Sequence, residues 1–370
     1  MGNRSLVNLS APGIRNTLYV AYPLLPVSNE SCGGAEQMLS VLESEMASRG
    51  HRTTVAACAG SRVSGSLFAT GHESTEADRL PERNAEHERR ILQLLRPGNV
   101  SQNLDLIHDK SGSFWRHAEE AGVPVLATLH LPRHFYPREA FDRVPPNAYF
   151  SCVSEAQART FADLPNMVSV VRNGIQVERF LFRPRKQNYL LWMGRICEEK
   201  GAHVAIEVAQ RTGLPLVLAG QVYPFSYHQN YYNERIRPYL GKNGVKVSFF
   251  ETPTLDKKLK LLANARALLV PSLVDETSSL VSMEAMACGT PVIAFRRGAI
   301  PEVIIDGVTG RIVDTVDQMV EAIWSTSDIN PYACREHVEV NHSASRMATD
   351  YENLYDRVLS ISRNRQSQAA

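Results

Sequence analysis

Apolar residues along this chain alternate between short runs and longer segments in which they recur every three or four positions. Short runs rich in β-branched and aromatic residues predict strands, and the longer segments predict helices with one buried face. Strands that alternate with helices are typical of parallel sheets covered by helices on both sides. The sequence therefore predicts an α/β fold. The predicted strands are 18–22, 53–57, 104–107, 125–128, 149–153, 168–171, 189–193, 216–219, 245–250, 267–270, 291–294 and 311–313.

The alternation is interrupted at Asn173-Gly174 and restarts with the strand at 189–193, which predicts two domains. The length agrees, because 370 residues correspond to two domains of roughly 150 residues each. Two doubly wound domains in tandem face each other across a cleft, where a ligand is expected. The polar stretch 60–90 is interpreted as a long surface loop that leads into a helix. The predicted units are a flexible leader (1–16), an N-terminal domain (17–183), a C-terminal domain (184–342) and an amphipathic C-terminal helix segment (343–370) that frays from residue 363.

Charge and composition exclude several classes of protein. The 40 Lys and Arg residues against 39 Asp and Glu leave a net charge of +1, so no overall basic field attracts nucleic acid or an anionic membrane. No apolar run reaches the roughly 18 residues of an integral membrane segment. The six cysteines lie far apart without metal-binding spacing, which suggests buried thiols in a reducing compartment. The first residues lack the layout of a signal peptide, and the expected location is cytoplasmic.

The segment that carries most of the chemistry follows a predicted buried strand. Thr277 or Ser278 is expected to cap a helix over about 280–288. The first backbone amides of such a helix are unpaired donors at a positive helix end, which is a ready site for phosphate. Glu284 lies one turn into the helix, where its carboxylate can accept hydrogen bonds from a ribose diol. Glu276 precedes the helix, on the far side of the expected phosphates.

Glu276 and Glu284, separated by seven residues, resemble the E-x7-E motif of family-4 retaining glycosyltransferases, which have the GT-B fold of two Rossmann-like domains. Five further segments are similar to that family and occur in the family's order. They are Gly33-Gly34-Ala35-Glu36, His130 after the strand at 125–128, Val171-Arg-Asn-Gly-Ile175, Arg179-Phe180, and Gly194-Arg195 followed by Lys200-Gly201.

The resemblance implies a role for each matching residue. Arg195 and Lys200 would bind the nucleotide diphosphate, and Glu284 would hold the ribose. Glu276 and the backbone after it would contact the donor sugar and the phosphates, and His130 would reach the sugar from the other domain. The expected catalytic residues are Glu276, Arg195, Lys200 and His130. The expected donor-binding residues are Glu284, Gly33, Gly34, Thr277, Ser278, Ser279, Leu280, Gly194, Gly220 and Tyr223.

An aromatic-rich stretch, 221–232, follows the strand at 216–219. In one interpretation Tyr223 and its neighbours stack on a base or a sugar face. In the other, the same aromatic residues pack as the core of a helix.

The resemblance implies that a sugar moves from a UDP- or GDP-sugar to an acceptor hydroxyl with its anomeric configuration retained. Front-face displacement is favoured, in which the leaving phosphate accepts the acceptor proton. No D-x-D carboxylate pair is expected to hold a metal, so neither a metal nor any cofactor besides the nucleotide-sugar co-substrate is predicted. The acceptor is a small molecule, a lipid or a glycan.

Other classes of function stay open. A phosphorylase or a sugar-nucleotide epimerase shares the GT-B diphosphate site. A non-catalytic nucleotide-sugar-binding protein is suggested by Thr277-Ser278-Ser279, which stand where many family members carry Pro-Phe-Gly. Glu251 replaces a common glycine after the strand at 245–250, so the base is uracil, guanine or adenine. A nicotinamide-dependent oxidoreductase is disfavoured, because no G-x-G-x-x-G follows the first strand of either domain.

Overall fold

Two parallel sheets form the framework of this protein, seen in a computed structural model that describes residues 13–28, 31, 33–73, 80–96, 103–241 and 244–369. Within these residues, seven strands pair in the order β3-β2-β1-β4-β5-β6-β7 and six in the order β10-β9-β8-β11-β12-β13. The first sheet contains β1 (Asn16–Val20), β2 (Arg52–Cys58), β3 (Ser66–Gly71), β4 (Leu106–Asp109), β5 (Val125–Thr128), β6 (Ala148–Cys152) and β7 (Met167–Val170). The second contains β8 (Leu190–Arg195), β9 (Leu216–Gln221), β10 (Val247–Glu251), β11 (Ala267–Val270), β12 (Val292–Phe295) and β13 (Gly310–Val313).

Helices connect the strands and cover both sheets, which is the doubly wound α/β arrangement that the hydrophobic pattern predicts. The helices are α1 (Gly34–Ser48), α2 (Leu80–Leu94), α3 (Ala118–Ala121), α4 (Glu155–Thr160), α5 (Ala202–Thr212), α6 (Ser226–Tyr231), α7 (Leu255–Asn264), α8 (Leu280–Ala287), α9 (Ile300–Val303), α10 (Val316–Trp324), α11 (Pro331–Asn341) and α12 (Ala344–Ala369).

Each sheet reverses its strand order once, between β1 and β4 in the first sheet and between β8 and β11 in the second. At such a point the two connections leave in opposite directions and open a crevice outside the carboxyl ends of the strands. Arg195 is the last residue of β8, and Lys110 directly follows β4. Both sheets therefore place polar residues at the positions where α/β proteins bind ligands.

Two expectations about the first domain are wrong. The stretch 60–90 is not one long loop before a helix, because it contains β3, which pairs in parallel with β2. This edge strand has Thr70 as its single fully buried side chain, so no hydrophobic alternation marks it in the sequence. The leader also ends earlier than predicted, since Asn16 already pairs with Arg52 in the first sheet. Residues 1–12 of the predicted leader lie outside the described residues.

The cysteines that the structure describes are buried and unpaired: Cys58, Cys152, Cys197, Cys288 and Cys334. Cys32, which was also expected to be buried, lies outside the described residues. In the described part of the chain, no helix combines the length and the apolar character needed to cross a bilayer. The described side chains likewise include no cluster of three or more His, Cys, Asp or Glu residues placed to hold a metal ion.

The C-terminal helix α12 packs against α1 and β7 of the first domain. Its buried side chains recur at helical spacing, as the sequence predicts, and include Met347, Tyr351 and Val358. The helix does not fray at residue 363 but continues to Ala369. Arg365 holds this last part, because its guanidinium donates to the Pro146 carbonyl at 2.6 Å and to Asn166 Oδ1 at 2.9 Å.

A buried polar network joins α12 to the first sheet. The Tyr355 hydroxyl lies 2.7 Å from His108 Nδ1, and His108 Nε2 lies 2.8 Å from Thr128 Oγ1. Burial lowers the pKa of His108 well below its usual range, so the ring is neutral and both of its nitrogens are engaged. A buried polar atom that loses its partner carries the full penalty of desolvation.

Tyr355→Phe is therefore expected to destabilise the protein by about 1–3 kcal/mol, because it leaves His108 Nδ1 without a partner. Urea denaturation of the variant and the wild type measures this difference. Tyr332→Phe is the matched control. Tyr332 is 61% exposed, so removal of its hydroxyl leaves no buried group without a partner. Equal unfolding midpoints for the two variants would contradict the proposed contribution of the network.

Candidate active site between the two sheets

The start of helix α8 forms one wall of the site. Neither Thr277 nor Ser278 caps this helix, contrary to the prediction, because the N-cap residue is Ser279 and no side chain makes a capping hydrogen bond. The Ser279 hydroxyl instead pairs with Ser282 Oγ at 2.7 Å. The first-turn amides thus face the crevice without a side-chain cap, at the positive end of the helix. Such an end favours the binding of phosphate.

Thr277 is engaged across the cleft rather than at the helix. Its hydroxyl donates a hydrogen bond of 2.9 Å to the backbone carbonyl of His130, in the first domain. Ser278 is half-buried beside it and lines a narrow cavity between the domains together with Ser154 and Arg172. The predicted donor-binding segment of the second domain therefore touches the predicted sugar-facing segment of the first.

The start of helix α1 forms the opposite wall. Gly33 is the N-cap residue, and a Cβ atom there would lie 1.9 Å from Glu36 Oε2, so only glycine allows this carboxylate to fold back over the helix end. A Cβ atom on Gly34 would lie 3.3 Å from Leu280 Cδ1. The two helix starts thus approach each other closely across the cleft. Burial raises the pKa of Glu36.

Lys200 and Glu276 form an ion pair inside the site. The Lys200 Nζ atom lies 2.7 Å and 2.8 Å from the two carboxylate oxygens of Glu276. Ser272 donates a further hydrogen bond of 2.6 Å to Glu276 Oε1. The Lys200 side chain remains 27% exposed and that of Glu276 12%. The predicted phosphate-binding lysine and the predicted sugar-binding carboxylate are therefore adjacent, and each holds the other in place.

Arg195 provides a cation that has no carboxylate within 4 Å among the described residues. It is exposed at the end of β8, beside Gly194. Gly194 pairs with Gly220 of β9, where a Cβ atom would lie 1.8 Å from the Gly194 carbonyl oxygen. Glycine at 220 is required by this close approach of two strand ends.

Some residues of the aromatic stretch 221–232 pack in a core, as one interpretation expects, and others remain at the surface. Tyr231 is buried in the core of the second domain, whereas Tyr227 is 57% exposed. Tyr223 is half-buried, and its ring stacks at 6.1 Å against that of Phe225. His228 lies 5.9 Å from the same Tyr223 ring, and the Arg195 charge contributes to the lowered pKa of His228, after burial. Tyr223 thus belongs to the surroundings of Arg195.

Glu284 has a partner that the sequence did not indicate. Lys258 of helix α7 lies 2.6 Å from Glu284 Oε1, and the Glu284 side chain is 8% exposed. The lysine provides an opposite charge for this nearly buried carboxylate and orients it. No motif marks Lys258, which lies on the same side of α7 as the buried Leu261 and Leu262. Only the approach of α7 to α8 in the fold reveals its role.

His130 follows β5 and reaches the cleft from the first domain. Its Nε2 atom is buried and has no hydrogen-bond partner among the described residues. Burial, assisted by the charge of Lys110, holds the pKa of His130 well below its usual range. The ring is therefore neutral and has an unused hydrogen-bonding position. A buried polar atom without a partner is uncommon in folded proteins and calls for an explanation such as a ligand.

Glu302 links the two domains at a second point, which the sequence did not indicate. Its carboxylate accepts hydrogen bonds from the backbone amides of Glu155 at 2.9 Å and Ala156 at 2.6 Å. These amides begin helix α4 in the first domain. A side chain of the second domain therefore supplies the hydrogen-bond acceptors that the first amides of this helix lack within the helix. Together with the Thr277 contact, this arrangement holds the two domains against each other.

Glu302→Ala is expected to shift the protein toward an open cleft, because it removes two charge-assisted interdomain hydrogen bonds. Such bonds contribute roughly 1.5–3 kcal/mol each, and about 1.4 kcal/mol changes an equilibrium tenfold. Small-angle X-ray scattering should show a larger radius of gyration than for the wild type. Glu321→Ala, at an exposed position of α10, is the control. Superimposable scattering curves for Glu302→Ala and wild type would show that this contact does not hold the cleft.

The structure thus brings the predicted residues together in three groups. Lys200 and Glu276 form one group, Gly33, Gly34 and Leu280 form another, and Gly194, Arg195, Gly220 and Tyr223 line the ends of β8 and β9. Glu284 lies one turn inside α8, where it accepts a hydrogen bond from Lys258. A cavity of about 540 Å³ lies on the surface of the first domain and is lined by none of the predicted site residues.

Comparison with known proteins assigns a family model to each half of the chain. Residues 32–179 match the model described as Glycosyltransferase Family 4, and residues 176–331 match Glycosyl transferases group 1. A lipopolysaccharide 1,2-N-acetylglucosaminetransferase of Salmonella typhimurium is 25% identical over 256 residues, which are 64% of this chain and 65% of that protein. A D-inositol 3-phosphate glycosyltransferase of Acidothermus cellulolyticus is 30% identical over 260 residues, 58% of this chain and 57% of its own length. The matches thus span about 57–65% of these two curated relatives.

Solved structures share the fold over nearly the whole chain. Sucrose-phosphate synthase from Thermosynechococcus elongatus superimposes with a TM-score of 0.76 at 16% identity, over 94% of this chain and 100% of that one. Anabaena HepE in complex with UDP-glucose gives a TM-score of 0.70 at 16% identity, over 93% of this chain and 99% of that one. At this level of identity the likeness is one of fold. The two family models match in the order of the two sheets, so the chain has the GT-B fold and is similar to Glycosyltransferase Family 4 in its first domain and to Glycosyl transferases group 1 in its second.

Proposed function

We propose that this protein is a retaining glycosyltransferase that moves a sugar from a nucleoside-diphosphate sugar to an acceptor hydroxyl without a metal ion. The observation that carries the proposal is the meeting of an uncapped helix start with Lys200 and Glu276 on one side of a cleft and His130 on the other. The complex of Anabaena HepE with UDP-glucose supports a UDP-sugar as the donor.

The chemistry requires a site that stabilises the departing diphosphate. Negative charge grows on this group as its bond to the sugar breaks, and preorganised donors and cations favour the charged state. That stabilisation would come from the amides at the start of α8, from the partly exposed Lys200 and from Arg195, which has no ion pair among the described residues. These groups take the part that a divalent metal plays in other transferases, so activity should persist in EDTA.

The carboxylates have separate tasks in this proposal. Glu284, held in place by Lys258, would accept hydrogen bonds from the ribose diol. Glu276 would exchange part of its ion pair with Lys200 for the hydroxyls of the donor sugar, which frees the lysine to face the phosphates. His130, whose ring is neutral because burial lowers its pKa, would hydrogen-bond the sugar from the opposite domain.

The configuration of the product tests the mechanism. In the proposed front-face displacement, the leaving phosphate takes the acceptor proton and the acceptor oxygen bonds to the same face of the sugar. Proton NMR of the product formed from an α-linked donor, with water or an added alcohol as acceptor, should show an α anomer at early times. A β product would contradict retention. Loss of activity in EDTA would contradict metal independence.

One observation favours a second candidate, a protein that binds nucleotide sugars without turning them over. The Thr277 hydroxyl is bonded to the His130 carbonyl, and the Lys200 charge is matched by Glu276, so both groups are engaged before any ligand arrives. Donor binding with no release of nucleoside diphosphate, in the presence of varied acceptors, would favour this candidate. Product analysis also separates the transferase from a phosphorylase or a sugar-nucleotide epimerase.

A further inference from the structure

Lys110 is a buried cation at the point where the strand order of the first sheet reverses. It directly follows β4 and is 5% exposed. Its Nζ atom donates to the Tyr351 hydroxyl at 3.1 Å and lies 4.6 Å from the centre of the Tyr351 ring. A neutral hydroxyl and an aromatic ring offset little of the free energy that is lost when an ammonium group is desolvated. A buried charge requires an ionic partner to offset that loss.

No carboxylate in the described residues serves as that partner. Asp109 precedes Lys110, but its carboxylate is fully used by the turn that follows, where it accepts hydrogen bonds from the amides of Ser111 and Trp115 at 2.8 Å and 2.9 Å. No ion pair involving Lys110 occurs in this part of the chain. Burial accordingly lowers the pKa of Lys110 to about 7, with no opposing charge to raise it.

His130 extends this electropositive region toward the cleft. It follows β5, the neighbour of β4 in the first sheet. Lys110 Nζ and Thr128 Oγ1 each lie 3.1 Å from the Tyr351 hydroxyl, and His130 follows Thr128 by two residues, just beyond the end of β5. The charge of Lys110 contributes to the lowered pKa of His130. Two adjacent basic groups, one without an anion and one with a vacant ring nitrogen, thus stand at the first domain's crevice.

The region is also separated from the groups assigned to the donor phosphates. Arg195, Lys200 and the start of α8 belong to the second domain, whereas Lys110 and His130 belong to the first. His130 is nonetheless directly opposite the donor segment, since its carbonyl accepts the Thr277 hydrogen bond. An anion at Lys110 would therefore sit beside the reacting sugar, on the side from which an acceptor must approach.

We propose that Lys110 and His130 form a subsite for an anionic group, phosphate or carboxylate, carried by the acceptor. This inference rests on the proposed function for the identity of the acceptor, but the anion site itself can be tested without turnover. The bound anion supplies the charge that the buried ammonium lacks and a hydrogen-bond partner for His130 Nε2. An acceptor without such a group leaves both of them unsatisfied and binds more weakly.

The test uses inorganic phosphate and acetate as probes, on full-length protein first saturated with UDP. UDP occupies the donor phosphate positions, so any further anion binds elsewhere. Calorimetric titration of each sodium salt, at constant ionic strength and pH 7, should give one saturable site for at least one of the two anions. Phosphate alone would identify a phosphorylated acceptor, and acetate alone a carboxylated one.

Variants locate the site. Lys110→Met should weaken anion binding at least tenfold and leave the dissociation constant of UDP within twofold of wild type. His130→Gln, which keeps a polar side chain, should weaken anion binding by a smaller factor. Lys260→Met removes the same charge from an exposed position, where the side chain is 60% accessible, and should bind the anion as wild type does. His130→Gln keeps the test valid if Lys110→Met does not fold.

Three results would overturn the inference. They are the absence of anion binding once UDP is bound, equal anion binding by wild type, Lys110→Met and His130→Gln, and a parallel loss of UDP and anion binding in Lys110→Met. The last would place Lys110 in the donor site. Failure of UDP to bind the wild-type protein at all would instead count against the proposed function, so the two failures are distinguishable.

Discussion

Replacing Lys200 by methionine is expected to lower kcat/KM for the donor sugar by roughly 10- to 100-fold, because a charge-assisted bond to the departing diphosphate contributes about 1.5–3 kcal/mol. The effect should appear mainly in kcat, since the negative charge on the diphosphate is greatest in the transition state. The release of nucleoside diphosphate from the donor, followed at several donor concentrations, measures both parameters.

The ion pair with Glu276 makes the choice of control important. Lys200→Met also leaves Glu276 without its cation, so the variant Lys200→Arg, which keeps the charge, should recover part of the activity. Lys260→Met alters the net charge by the same amount and should retain full activity. Wild-type kcat/KM in Lys200→Met would contradict the assignment of this lysine to the diphosphate.

Replacing Glu284 by alanine is expected to weaken binding of the preferred nucleoside diphosphate about tenfold, because the ribose loses a charged acceptor and Lys258 loses its partner. The 2′-deoxy form of the same nucleotide isolates the ribose contact. Wild type should bind the ribonucleotide more tightly than the deoxynucleotide, and Glu284→Ala should bind the two almost equally. Titration calorimetry of the two proteins with each of the two nucleotides gives the coupling free energy between the Glu284 side chain and the 2′-hydroxyl.

Lys258→Met serves as a companion variant. Without Lys258, the Glu284 carboxylate loses its 2.6 Å hydrogen bond but keeps its position on α8, so the discrimination between the two nucleotides should persist at reduced strength. If the discrimination survives unchanged in Glu284→Ala, another residue recognises the ribose.

The order of strands and helices was predictable from the sequence, because buried parallel strands are short apolar runs and the helices between them are amphipathic. The strands at 125–128 and 267–270 coincide with β5 and β11. Strand β3 was missed, since an edge strand with a single buried side chain has no hydrophobic period. The cap at Thr277 or Ser278 was wrong because the Thr277 hydroxyl finds a stronger structural use across the cleft, on the His130 carbonyl.

The partners of the site residues were not predictable in the same way. Lys258 and Glu302 belong to elements that are distant from their partners in sequence. Ser272 is only four residues from Glu276, but no motif marks it. Lys110 gave no signal either, since its burial depends on helix α12 covering the first sheet. Motif order locates the residues that we propose to touch a ligand. The side chains that orient those residues are found only from the packing of the fold.

The most direct test of a nucleotide-sugar site is a thermal-shift comparison of UDP, GDP, ADP and NAD on the wild type and on Glu284→Ala. A ligand at 100 times its dissociation constant adds about 2.7 kcal/mol to the stability of the folded protein. One nucleoside diphosphate should raise the melting temperature of the wild type and raise that of Glu284→Ala much less. A shift with NAD alone, or equal shifts in both proteins, would contradict the assignment of this cleft to a nucleoside-diphosphate sugar.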